Sequence, residues 1–181
     1  MRGHVRWPGS AGADAGDEAW LPNPSKLDSE GYPACWHDRG MSIEAIYTAE
    51  STATGGGRDG HVKSSDGRLD LDTRPPKEMG GSGDGVNPEL LFSAGYAACF
   101  LGALRLVAKN ASVRLDEATG ITVRVGIGKD ATSYGLTTEV IGYLPGLEKV
   151  QAEELMAQAN QVCPYSKATR GNVETRVITK V

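Results

Sequence analysis

Apolar and polar residues recur with strand and helix periods along the chain from about residue 43 onward, and the alternation predicts an α+β fold. Residues 43 to 50 read as a strand. Residues 61 to 64 and 68 to 72 read as a hairpin, because Ser64, Ser65, Asp66 and Gly67 supply the turn and Leu69 and Leu71 repeat with period two. A loop follows, with Pro75, Pro76 and a glycine-rich run from Gly80 to Gly85. Asn87 suits an N-cap and Pro88 the first helical position, after which apolar residues continue to about Val107. This segment is apolar nearly all round and rich in Ala and Gly, which predicts a long central helix enclosed by other elements that approach it closely. Residues 121 to 127 and 135 to 143 alternate as strands, 149 to 161 predict a second helix carrying Leu155 and Met156, and 173 to 181 predict a last strand. The chain has no internal repeat.

Composition changes near residue 40. Trp7, Trp20 and Trp36 are all the tryptophans of the chain, and Pro8, Pro22, Pro24 and Pro33 interrupt a stretch without sustained period. Residues 1 to 40 therefore read as an N-terminal extension, with little repeating apolar surface to offset the entropy of ordering, although three tryptophans suit docking on a surface. Met41 is an alternative start, which would make the first 40 residues a misassigned beginning. Residues 41 to 181 are expected to form one domain, long enough to bury a core without staples.

The net charge of −4 is spread along the chain with no basic run, which argues against nucleic acid or an anionic membrane as partner. Three cysteines do not make a fully paired framework, and the beginning lacks a secretory pattern, so the expected compartment is the cytoplasm. No apolar run is expected to approach the roughly 18 to 20 residues of a bilayer span, since residues 90 to 108 include Ser93, Arg105 and several glycines.

Beyond the extension the reactive groups are few: Cys99, Cys163 and one histidine, His61. A serine triad is disfavoured, because the segment around Cys99 has no serine where a nucleophile elbow needs one. The run Gly80 to Gly85 lacks the Lys and Ser/Thr of a phosphate-binding loop, and the run Gly55 to Gly60 opens a strand rather than a helix. Zinc would require Cys99, Cys163 and His61 to converge without local ligand pairs, so no metal is expected.

Cys99 has two readings, a small buried hydrophobe or a reactive thiol. Cys163 changes the weighing, because it ends the second helix directly before Pro164, where its side chain can turn toward a neighbouring element. It too can be a core residue, and a static disulfide between the two is a third option that a reducing compartment disfavours. A reactive cysteine needs a stabilised thiolate, and with histidine scarce the candidate cation is Arg58, held between Gly57 and Asp59. Its alternative is a solvated turn arginine. Glu89, in the first turn of the central helix, has the plain alternative of complementing the helix dipole.

The segments TATGGGRDGHV, NPELLFSAGYAACF and QVCPYSKATRGN resemble the Ohr branch of the OsmC/Ohr family, the organic hydroperoxide resistance proteins. The similarity covers nearly all of residues 41 to 181, and the CPYS tetrad points to the Ohr branch. The resemblance implies antiparallel sheets wrapped around a long central helix in an intertwined homodimer. It implies a peroxidatic role for Cys99, a resolving role for Cys163, a thiolate-activating role for Arg58 and an acid partner in Glu89. It implies a thiol-dependent peroxidase acting on organic hydroperoxides, without cofactor, recycled by an external dithiol such as a lipoylated protein. Phe92, Tyr96, Phe100 and Leu101 can line a pocket for an alkyl chain, against the alternative of simple core packing. Residues 1 to 40, including Cys35, inherit no role. The competing function is a binding protein that uses the same scaffold for a hydrophobic ligand, and turnover discriminates between the two.

One geometric expectation arises from the central helix itself. Glu89 and Cys99 are ten positions apart, which on an unbroken helix is about 15 Å along the axis and roughly 80° around it. Either the helix breaks between them, or Arg58 and Glu89 of one subunit complete the site around the cysteines of another. The second is favoured, because Gly95 is the only weak point and no proline intervenes.

Overall fold

The computed structural model describes residues 43–181. The expectations for residues 1 to 40, with their tryptophans and Cys35, and for Met41 as a start lie outside the described residues. The chain divides into two units after Thr48, and among the described residues every helix and strand lies in the unit Ala49–Val181.

The strand expected at 43 to 50 is absent: those residues are exposed and irregular, and β1 is Ser51–Gly55. The cause is the tight turn beyond it. Gly56 donates its N–H to the Asp59 carbonyl at 2.9 Å, so the five residues before the turn pair with β2, Gly60–Ser64, from Gly55↔Gly60 to Ser51↔Ser64. Glycine is required here, since Gly55 and Gly57 have φ of 69° and 71° and a Cβ on Gly60 would lie 2.1 Å from the Thr54 carbonyl oxygen. β3, Asp70–Thr73, completes an antiparallel sheet in the order β1-β2-β3, and the expected Ser64 to Gly67 turn joins it to β2, with the Ser64 hydroxyl donating to Asp66 at 2.6 Å.

The helix α1, Pro88–Asn110, starts where the caps predicted: Asn87 Oδ1 accepts the Leu90 N–H at 2.8 Å. It runs unbroken for 23 residues, and is long and apolar enough by length and composition to cross a bilayer, contrary to expectation. β4, Gly120–Lys129, and β5, Tyr134–Tyr143, form a hairpin, and β6, Glu174–Lys180, is the other neighbour of β5. Here the expectation of antiparallel sheets needs correction, because β6 runs parallel to β5. Parallel strands need a crossover, supplied by α2, Lys149–Val162, and a short α3, Pro164–Thr169. No helix was expected after Pro164; the proline ends α2 but serves as the first residue of α3.

The core lies between α1, α2 and the sheet β4-β5-β6. Tyr96, Phe100, Leu104, Val140, Leu144 and Met156 are fully buried there, and no residue of β1, β2 or β3 belongs to this cluster. The expected enclosure of α1 is not met among the described residues. Its other side leaves Leu90, Ala94, Ala98, Gly102 and Leu106 exposed, a stripe repeating every four residues.

Candidate active site

Cys99 lies one turn beyond Tyr96 on α1, half-buried, while Cys163 is fully buried between α2 and α3. Cys163 closes α2 by donating its N–H to the Ala159 carbonyl at 2.9 Å, and its extended backbone (φ −64°, ψ 123°) redirects the chain into α3. The two side chains meet: the Cys163 thiol donates to the Cys99 sulfur at 3.6 Å, with both cysteines free. A disulfide requires about 2.05 Å, so the pair is in contact and unbonded. Burial raises the Cys99 thiol above its ordinary range, the Tyr165 N–H works against this, and the neighbouring Cys163 raises it further. None of these groups is a cation.

The expected cation sits elsewhere. Arg58, at the tip of the β1-β2 turn, makes a bidentate pair with Glu89 in the first turn of α1, at 2.6 Å and 3.0 Å. The Glu89 side chain is 11% exposed and that of Arg58 39%. The turn that carries Arg58 is held by β3: the buried Thr73 hydroxyl donates to the Gly57 carbonyl at 2.7 Å and accepts the Gly60 N–H at 3.1 Å. Arg74 adds a bond to the Gly60 carbonyl at 2.9 Å and an ion pair to Asp59 at 3.5 Å. A cleft of about 300 Å³ opens beside this pair, lined by Glu89, Leu90, Ser93, Val125 and Ile127 among others.

Arg58 therefore meets Glu89 in the same chain, and Cys99 meets Cys163. Since α1 is unbroken, the two pairs stand about 15 Å apart along one helix. Within the chain the arginine–carboxylate pair and the thiol pair are separate.

The ion pair has a pH signature. Arg58 holds the Glu89 carboxyl below its ordinary value of 4.5, mainly by hydrogen bonding, and Glu89 in turn raises Arg58. Glu89 is the depressed-acid case: its contribution to stability is complete above the ordinary carboxylate range and is lost as pH falls through the lower folded value. Glu89→Gln is thus expected to be less stable than wild type at neutral pH, with the gap closing as pH falls below the ordinary carboxylate value of 4.5 and through the lower folded value. Urea unfolding of both proteins across that range measures it, and a gap independent of pH would refute the charge-based account.

Of the four residues expected to line a pocket, Tyr96 and Phe100 are fully enclosed, while Phe92 and Leu101 are partly buried against the core. Phe92 stacks on Tyr165 at 5.9 Å and meets Tyr96 edge-on at 5.9 Å. Sequence reasoning did not single out Tyr165 and Ser166, although both lie in the CPYS tetrad, in the first turn of a helix opened by proline. His61 is remote in role: Asp70 and Asp72 hold it at 2.8 Å and 2.9 Å. Among the described residues no three His, Cys, Asp or Glu side chains gather as a metal site.

A long helix packed on a mixed sheet, with a dithiol at its middle and an arginine-carboxylate pair at its start, defines a class. The family model described as OsmC-like protein matches residues 81–178. An organic hydroperoxide resistance protein of Xanthomonas axonopodis pv. citri is 47% identical over 132 residues, covering 72% of this chain and 92% of the relative. The crystal structure of an organic hydroperoxide resistance protein from Elizabethkingia anophelis matches with a TM-score of 0.72 at 46% identity, over 76% of this chain and 99% of that one. That of the organic hydroperoxide resistance protein OhrB of Bacillus subtilis matches with a TM-score of 0.68 at 42% identity, over 75% and 100%. The chain belongs to the OsmC/Ohr family, in its Ohr branch.

Proposed function

We propose that this protein is a thiol-dependent peroxidase that reduces organic hydroperoxides to alcohols. The observation that carries this reading is the contact of two free thiols at 3.6 Å, one buried and one half-exposed. The names of its relatives supply the substrate class. The Cys99 thiolate attacks the outer oxygen of the hydroperoxide, the O–O bond breaks, and the alkoxide leaves as an alcohol after taking a proton, with Cys99 now a sulfenic acid. The Cys163 sulfur then attacks that sulfenic sulfur, releasing water and forming the Cys99–Cys163 disulfide. An external dithiol, such as a reduced lipoyl group on a carrier protein, returns two electrons and two protons in the reducing cytoplasm. Neither metal nor cofactor enters the cycle.

The working unit in this proposal is a homodimer. Burial raises the Cys99 thiol and its own chain's cation is engaged about 15 Å away, so an Arg58–Glu89 pair from a second subunit supplies the charge that lowers it. Gly102 supports the pairing. A glycine within a helix costs about 1 kcal/mol relative to alanine, yet a Cβ there meets nothing within 4 Å among the described residues. Close approach of a second subunit along the exposed stripe gives the small residues a reason. The alkyl group of the substrate rests on Phe92 and Leu101, the two pocket candidates with exposed surface, with Tyr96 and Phe100 behind them.

The test is peroxide consumption with excess dithiol, comparing tert-butyl and long-chain fatty acid hydroperoxides with hydrogen peroxide. Turnover of the organic substrates at rates at least about tenfold above hydrogen peroxide is expected, from the apolar surroundings of the thiol. Binding of fatty acids without turnover would favour a hydrophobic-ligand carrier instead.

A further inference from the structure

Two residues outside the chemistry link the helices that bring the cysteines together. Tyr96 lies three residues before Cys99 on α1, and Ser166 lies three residues after Cys163 in α3. Residues three apart on a helix share a face, so the pairs Cys99–Cys163 and Tyr96–Ser166 stand side by side along the seam between α1 and α3. The hydroxyls of Tyr96 and Ser166 hydrogen-bond at 2.9 Å, and the two residues are 0% and 3% exposed. Tyr96 thus offers the solvent no surface, and its polar atom is committed to α3. Gly95 tightens the same seam: a Cβ there would come within 3.0 Å of the Tyr165 hydroxyl oxygen.

We propose that Tyr96 and Ser166 are positioning residues that hold α3 against α1, so that Cys163 captures the Cys99 sulfenic acid before a second peroxide does. The inference rests on the peroxidase reading above. The balance of the step is local: the Cys163 S–H and the Cys99 S–OH become one S–S bond and one water. The sulfurs must close from 3.6 Å to about 2.05 Å, a movement of side chains if α3 is held and a search among orientations if it is not. The competing step is oxidation of the sulfenic acid by another hydroperoxide to a sulfinic acid, which Cys163 cannot reverse. The clasp sets the ratio of the two outcomes.

The experiment is rapid-quench mass spectrometry of the reduced full-length protein mixed with tert-butyl hydroperoxide, counting Cys99 as sulfenic acid, disulfide or sulfinic acid. Wild type is expected to pass to the disulfide with little sulfinic acid. Ser166→Ala is expected to form its sulfenic acid at the wild-type rate but to close the disulfide roughly tenfold more slowly, the cost of one buried hydrogen bond. Sulfinic acid then accumulates at correspondingly lower peroxide. Because Ser166→Ala leaves a buried tyrosine hydroxyl unpaired and risks a fold defect, the double variant Tyr96→Phe/Ser166→Ala is the second arm. It leaves no orphaned hydroxyl, which favours retention of the fold, and is expected to show the same slowed closure and raised sulfinic yield. Both variants closing the disulfide as fast as wild type would overturn the clasp while leaving the peroxidase reading intact. A wild type that forms no Cys99–Cys163 disulfide at all would overturn both.

Discussion

Cys99→Ser is expected to remove peroxide turnover down to background, a loss on the order of a thousandfold or more, because a nucleophile's own atom is deleted. Cys163→Ser is expected to behave differently. It retains the attacking sulfur, so each subunit consumes one equivalent of hydroperoxide, stops, and leaves Cys99 as a sulfenic acid that a dimedone-type probe labels. The asymmetry follows from exposure: Cys99 is half-buried and open to a substrate, whereas Cys163 is fully buried behind it and reaches only the Cys99 sulfur. Fold damage does not predict this pattern, since replacing the more buried cysteine would then be the more harmful change. Normal cycling of Cys163→Ser with a dithiol, without a trapped sulfenic acid, would remove Cys163 from the mechanism.

The parts of this site that were legible in the sequence are those set by local chemistry. Asn87 and Pro88 place the start of α1, and Ser64 to Gly67 place a hairpin turn; each works through bonds to residues two to five positions away. Arg58 and Glu89 stand out in the sequence as a cation and an acid, and the structure adds their bidentate pairing across 31 positions. What could not be read was set by packing between distant elements. The direction of β6 depends on the α2-α3 crossover, and its own alternation is the same whether it runs parallel or antiparallel. The strand expected at 43 to 50 shows the reverse error. Its apolar residues suggested burial, but the glycine turn after Gly55 determines which residues find partners. Ser166 is not legible in the sequence, because its significance lies in a bond to Tyr96, 70 residues away. The apolar surround of α1 is a sign of enclosure, yet the described residues cover only one face.

That uncovered face leads to the prediction with the clearest all-or-none outcome. Arg58 is paired with Glu89 at the start of α1, and Cys99 stands about 15 Å along the same unbroken helix. An arginine side chain reaches only several ångströms from its backbone, so while it is bound to Glu89 it cannot also serve the Cys99 sulfur of its own subunit. Two copies of α1 crossing antiparallel at Ala94 of the exposed stripe would set Leu90 of one helix beside Ala98 of the other, and so the start of one beside the middle of the other. Arg58 and Glu89 of each subunit then face the cysteine pair of its partner. Cys99→Ser chains alone are expected to be inactive for want of a nucleophile, and Arg58→Ala chains alone to be slowed by about a hundredfold or more, because the half-buried thiol stays protonated without a cation nearby. Mixed under conditions that exchange subunits, they are expected to regain activity. In the heterodimer one site combines the intact Cys99 of the Arg58→Ala chain with the intact Arg58 of the Cys99→Ser chain, while the other site lacks both. Statistical exchange of equal amounts makes half of all dimers hybrid with one working site each, so about a quarter of the wild-type activity per subunit should return, measured against exchange followed by native mass spectrometry. Exchange without recovery would mean that Arg58 leaves Glu89 and serves the cysteine of its own chain.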